Sequence, residues 1–339
     1  MLNFGPEIQR AELEWIAAFQ GSGDFRRIML WFSYPGAEAL KYVLPFTYFV
    51  LSRKAGARLY VLYGFSGWLL ETLKVTFHLP RPYWVDPRIR GLSTAGNYGM
   101  PSGHTLGASV VWPGLAHAIK KPWAWVSAFA MVLLVSVSRV YLGVHFISDV
   151  AGAWIVAAAL IAGVRWLETR TWNRLDSAGP WSQIGITLGA TITLLALGIG
   201  ANRITAGVVD PPRWSIFATK ARNLSEVFQS SGTFFGAACG AIMTGRWARF
   251  EVRGVLWRRG IALVYALAGA WLLRQFYKLL PSFHVQYAQL SWEFLRSAIS
   301  TWWILFLAPW ILIKADLVTA EAPISNMAQP SCGPEQGHQ

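Results

Sequence analysis

Charge is scarce in this chain: Asp, Glu, Lys and Arg make up 14% of its 339 residues, where soluble domains carry about 25%. So little charge cannot dress a water-facing surface of ordinary size, and lipid is expected to meet much of the chain. Cysteine is nearly absent too, with Cys239 in an apolar run and Cys332 near the C-terminus. Neither has ligand or redox spacing around it, so no zinc scaffold and no disulfide framework is expected. The opening stretch MLNFGPEIQRAELEW lacks the basic cap and apolar core of a cleavable signal peptide, which leaves insertion to the first true span.

Apolar and aromatic residues are plentiful: 54% of the chain is hydrophobic, with 19 Trp, 19 Phe and 11 Tyr. Basic residues outnumber acidic ones 30 to 17, a formal +13. That balance suits nucleic acid, an anionic membrane surface or an anionic substrate. The hydrophobicity argues against nucleic acid as the partner.

A span needs about 20 largely apolar residues, and helices satisfy their own backbone polar groups in hydrocarbon. Candidates lie near 32–52, 59–75, 103–119, 122–139, 145–164, 182–200, 228–245, 257–274 and 297–314. The expected fold is therefore an all-α, polytopic membrane helical bundle of about nine spans. The first candidate is interrupted by Pro35, Glu38 and Lys41, and the seventh, SGTFFGAACGAIM, has the small residues that suit close helix packing. Residues 1–28 read as an interfacial amphipathic segment, 29–200 as a six-span core, 201–315 as a three-span extension and 316–339 as a disordered tail.

Basic residues crowd the short alternate connections, including Arg53, Lys54 and Arg58, then Lys120 and Lys121, then Arg246 and Arg249. Those connections are read as cytoplasmic. The N-terminus and the loops 76–102, 201–227 and 275–296 then face outward, and the tail lies inside.

Three polar clusters fall together on that outer side. Lys74, Arg81 and Pro82 lie in KVTFHLPRP, Pro101 to His104 in GMPSGHTLGAS, and Ser138, Arg139, His145 and Asp149 in SRVYLGVHFISD. His145 and Asp149 are four apart, so on one helix face the carboxylate can hold one ring N–H and leave the other nitrogen as an attacking lone pair. Ser102 is a natural N-cap, and the free amides that follow, with Gly103 lacking a side chain, form an anion site. His104 sits in that first turn, placed to protonate a departing oxygen. Lys74, Arg81 and Arg139 complete a pocket for a phosphoryl group and the charge it develops. Taken singly, each cluster also has a plain explanation: an interfacial ion pair, a snorkelling lysine, a loop and helix cap. Their coincidence at one depth decides for a site. Arg88, Arg90, Arg203, Arg213, Lys220 and Arg222 read as surface charges, and His78, His117 and His284 carry no constellation.

Lys74 with Arg81-Pro82 after six residues, Pro101-Ser102-Gly103-His104, and Ser138-Arg139 followed by His145 and Asp149 together resemble the tripartite signature of the type 2 phosphatidic acid phosphatase (PAP2) superfamily. The resemblance implies that His145 attacks phosphorus, Asp149 orients it and His104 protonates the leaving oxygen. Lys74, Arg81, Ser102, Gly103 and Arg139 would hold the phosphoryl oxygens. It implies no metal and no other cofactor. The expected function is hydrolysis of a membrane lipid phosphate or isoprenoid diphosphate through a phosphohistidine, at an external face such as the periplasmic side of a bacterial inner membrane. Two alternatives stay open: transfer of the phosphoryl group to another lipid or glycan, and non-enzymatic lipid transport or binding. The resemblance covers roughly residues 30–200 and does not specify the last third. The expected nine-span total is similar to that of the glucose-6-phosphatase and sphingosine-1-phosphate phosphatase branches.

Overall fold

A computed structural model describes residues 6–252, 255–280 and 285–320. The expected disordered tail lies, beyond residue 320, outside the described residues, as do His284 and Cys332.

Helices carry the described chain. In order they are α1 (Pro6–Gly21), α2 (Arg26–Ser33), α3 (Leu40–Phe46), α4 (Arg53–Phe77), α5 (Pro82–Val85), α6 (Gly103–Ile119), α7 (Pro122–Tyr141) and α8 (Ile147–Ser177). There follow α9 (Pro180–Ile204), α10 (Ser215–Ala221), α11 (Ser225–Trp247), α12 (Leu256–Leu279), α13 (Gln286–Trp302) and α14 (Ala308–Lys314). Local chemistry sets several of the ends. Ser52 caps α4, its hydroxyl accepting from Ala55 N at 3.2 Å. Prolines open α5, α7 and α9, where a missing N–H costs nothing.

The chain forms an all-α membrane bundle, and five of the nine expected spans have both the length and the apolarity to cross a bilayer. These are α7, Ile147–Thr171 of α8, α9, α12 and the continuous stretch Gln286–Lys314. Large apolar side chains on α9 and α12, among them Ile192, Leu197, Val264 and Trp271, point away from the protein as lipid-facing residues do. The count of nine is not reproduced. The 32–52 candidate is broken into α2, a 3₁₀ turn at Tyr34–Gly36, α3 and a π-helical turn at Thr47–Leu51. Pro35 and Pro45 lie within that broken run. The candidates at 59–75, 103–119 and 228–245 are continuous helices, α4, α6 and α11, more polar or shorter than those five. For α4 and α11 the cause is visible, because the face each turns inward lines a cavity and carries polar side chains.

Small residues let the inner helices approach. A Cβ at Gly232 or Gly236 of α11 would collide with the backbone carbonyls of Phe294 and Ala298 on α13. Gly64 and Gly67 of α4 meet Phe234 and Ser230 of α11 in the same way. The extension is thus packed into the same bundle as α4. Trp68 of α4 donates to Leu194 O at 2.8 Å, tying in α9, and Tyr48 donates to Leu305 O at 2.7 Å.

At the opposite end of the chain, α1 docks on the α7–α8 connection. Ile16 is buried against Ile89 and Phe146. Gln20 donates to Tyr141 O at 2.8 Å and Arg90 O at 2.9 Å and accepts from Arg90 N at 3.0 Å. Glu12 accepts from Ser148 N at 2.7 Å and Ser148 Oγ at 3.0 Å, which satisfies free donors at the N-terminus of α8.

Candidate active site

Three helix ends and two connections converge on one cavity of about 640 Å³. Lys74 comes from the last turn of α4, Arg81 and Asn97 from the loop that follows, and Gly103 and His104 from the first turn of α6. Arg139 comes from the last turn of α7, and His145 from the turn before α8. Gly143, at φ 69°, gives that turn its left-handed step. A Cβ there would strike Arg90 O and Gln20.

His145 and Asp149 are paired, though not on a shared helix face as the spacing suggested. The helix starts at Ile147, so His145 precedes it and Asp149 is its third residue. Asp149 Oδ2 accepts from Phe146 N at 3.0 Å, as the third residue of a capping box reaches back to the cap. The same oxygen meets His145 Nδ1 at 3.2 Å. On the other side of the ring, Arg81 Nη1 lies 3.1 Å from His145 Nε2. Only the tautomer with its proton on Nδ1 satisfies both contacts: Nδ1–H donates to the carboxylate and the Nε2 lone pair accepts from the guanidinium. Both residues are buried, at 2% and 1% exposure, so the pair is desolvated. Burial first, then the positive charges of Arg81, Arg139 and Lys74, hold the His145 imidazole well below its usual range. Both influences favour the neutral ring.

Arg81 is the most constrained cation. Its guanidinium donates to Asn97 O and Asn97 Oδ1 at 2.7 Å each, to Val144 O at 2.7 Å and to Tyr98 O at 3.1 Å. Lys74 is ion-paired with Glu71 one turn earlier, Nζ to Oε1 at 2.9 Å. Asn97 closes the loop by donating to both Glu71 oxygens, at 3.0 and 3.2 Å. Glu71 and Asn97 thus fix the two cations relative to each other, as buried charges require. Arg139 is held by one bond, Nη1 to Ser33 Oγ at 2.7 Å, and its buried Nε has no partner among the described residues. A donor of that kind is suited to an anionic oxygen.

The PSGH element divides. Ser102 occupies the cap position of α6, yet its buried hydroxyl accepts from Thr105 Oγ1 at 3.0 Å instead of capping the helix amides. Its backbone N–H donates to Asp149 O at 3.0 Å, joining the second cluster to the third. Neither Ser102 nor Asp149 lines the cavity. Gly103 does, and a Cβ there would come within 3.0 Å of Leu70 and 3.6 Å of Lys74 Nζ. His104 faces the cavity beside it.

Three residues escaped the sequence argument. Glu71 left a trace, an acid inside a span one turn from a lysine. Asn97 and Glu12 left none, because their contacts bridge 26 and 136 positions along the chain. Lys220, read as a surface charge, also lines the cavity. Arg222 is half-buried, paired with Asp210 at 2.5 Å.

Comparison with known proteins matches residues 55–173 to the family described as PAP2 superfamily. Residues 228–321 match a second, described as PAP2 superfamily phosphatase, transmembrane extension, which the sequence argument had not recognised. Phosphatidylglycerophosphatase B of Bacillus subtilis (strain 168) is 29% identical over 99 residues, 26% of this chain and 49% of that protein. Undecaprenyl-diphosphatase of Sulfolobus acidocaldarius is 30% identical over 137 residues, 40% of this chain and 62% of that protein. Sphingosine-1-phosphate phosphatase 2 of Mus musculus is 28% identical over 146 residues, 40% of each chain. The chain therefore spans between 40% and 62% of the length of these relatives. No solved structure matches it.

Proposed function

The chain belongs to the PAP2 superfamily, and from that premise we propose that it is a phosphatase of membrane lipid phosphates that works through a phosphohistidine on His145. The observation that carries this reading is the His145 ring itself, with Nδ1 against Asp149 and Nε2 against Arg81, in the wall of a cavity that Lys74, Arg81 and Arg139 also line. In this mechanism Nε2 attacks phosphorus while Asp149 keeps the Nδ1 proton in place and offsets the charge the ring acquires. Arg81 Nη1 turns from His145 Nε2 to a phosphoryl oxygen as the substrate enters, which frees the attacking lone pair, and Lys74, Arg139 and the Gly103 amide meet the other equatorial oxygens. Ser102, whose hydroxyl is turned to Thr105, contributes by positioning α6 and not by touching the phosphoryl group.

His104 gives its proton to the leaving oxygen, then takes one from the water that cleaves the N–P bond and releases phosphate. No metal enters this sequence of steps; the positive charge is supplied by side chains. The site lies at the outer, periplasmic-side end of the bundle in a bacterial inner membrane. The three relatives' names speak of lipid phosphates and an isoprenoid diphosphate, which supports a substrate anchored in the bilayer.

The purified protein in detergent with a chelator should release inorganic phosphate from lipid monophosphates or diphosphates. Folded protein that releases none across both groups would end the proposal. His104→Ala should lower turnover of lipid alcohol esters by about 10²- to 10³-fold. An aryl phosphate, whose leaving group needs no proton, should lose far less. Equal losses on both substrates would take the acid role from His104.

A further inference from the structure

The cavity is larger than a phosphoryl group needs, and at 640 Å³ it is in the range that encloses a whole small ligand, about 300–1,000 Å³. Its far wall comes from the extension. Glu226, Gln229, Ser230 and Thr233 line it, spaced so that they fall on one face of α11. Polar side chains in a membrane helix are costly unless they face a cavity or a partner. Here they line the cavity beside the α4 face that carries Ser66 and Glu71.

The charges differ in what they have left to bind. Glu38 is paired with Lys41 at 2.7 Å and Glu71 with Lys74 at 2.9 Å. Glu226 lines the cavity and has no ion pair or hydrogen bond among the described residues, which leaves its side-chain oxygens available as acceptors. A carboxylate beside a phosphate pocket repels a second phosphate and attracts hydrogen-bond donors. Lys220 is the opposing influence, standing where a Cβ on Gly96 would lie 3.5 Å from its Nζ.

Resting on the phosphatase proposal above, we propose that this face of α11 is a headgroup subsite for a lipid phosphate whose alcohol carries hydroxyl or ammonium donors close to the phosphorus. Glu226 is its principal acceptor, and Gln229 and Ser230 supply neutral partners. The extension thereby sets substrate specificity, while the core carries out the reaction.

The test compares three monophosphate lipids presented in the same detergent, hexadecyl phosphate with neither donor, ceramide 1-phosphate with a hydroxyl and no ammonium, and sphingosine 1-phosphate with both, and adds farnesyl diphosphate as the diphosphate competitor. The parent protein should favour at least one donor-bearing lipid over hexadecyl phosphate by tenfold or more in kcat/KM, mostly through KM. Glu226→Ala and, separately, the size-conserving Gln229→Leu should each cut that ratio severalfold. Glu226→Gln separates the sources: it keeps a hydroxyl-based preference and loses an ammonium-based one. The subsite is overturned if the parent treats all three lipids alike, if both variants lower every substrate equally, or if farnesyl diphosphate is preferred and that preference depends on Lys220. A parent protein that hydrolyses none of these lipids takes down the phosphatase proposal itself, and the subsite with it.

Discussion

His145→Ala is expected to reduce turnover by about 10⁴-fold or more and to abolish the acid-labile phosphoenzyme that the parent forms with a radiolabelled lipid phosphate. Alanine leaves the rest of the pocket in place: Arg81 keeps its bonds to Asn97, Tyr98 and Val144, and Lys74 keeps Glu71. Substrate binding should therefore survive the loss of chemistry, and a tight but inert complex is the expected state. The direction of the His145 shift adds a pH signature. A nucleophilic imidazole is active when neutral, and burial together with Arg81 holds its titration well below the usual range. The acid limb of kcat/KM assigned to this ring should accordingly lie below the ordinary imidazole region. Folded His145→Ala protein that still labels, or turns over within tenfold of the parent, would remove His145 as nucleophile.

Asp149→Asn is expected to cost about 10² to 10⁴ in kcat, with little change in KM. One oxygen, Oδ2, serves both His145 Nδ1 and Phe146 N. An asparagine offers a single acceptor and an NH2 donor. If the acceptor goes to Phe146 N, the ring loses the partner that kept its proton on Nδ1. The proton then moves to Nε2, where it occupies the attacking lone pair and faces the donor Nη1 of Arg81. Lys74, Arg81 and Arg139, the cations proposed to hold the phosphoryl group, are untouched, which is why the loss should appear in kcat and in the rate of phosphoenzyme formation. A variant with unchanged kcat and intact fold would show that Asp149 does not orient the ring.

The role of α1 bears on both results. Glu12 bonds the N-terminus of α8, the helix whose first turn carries Asp149. A segment that resembles a surface helix by its composition is thus fastened to the connection that presents His145. Loop and helix are positioned from outside the matched core, whose family pattern begins at residue 55.

The sequence by itself determined the class of fold and singled out the residues on which the proposed chemistry rests. Low charge and long apolar runs are local properties, and they required a helical membrane protein before any contact was known. Lys74, Arg81, His104, Arg139 and His145 could be singled out because a charged or titratable residue beside a span is too costly to be incidental when three such groups share one side. Tertiary structure decided what depends on distant partners. It broke the 32–52 candidate into short pieces, turned the Ser102 hydroxyl towards Thr105 and placed His145 ahead of its helix. It also brought in Glu71, Asn97 and Glu12, and set Glu226 and Lys220 on the far wall of the cavity. Apart from Glu71, one turn from Lys74, and the residues that interrupt 32–52, these had no local signal, because an ion pair or a cavity wall is defined by which helices pack together, and packing is settled by side chains far apart in the chain.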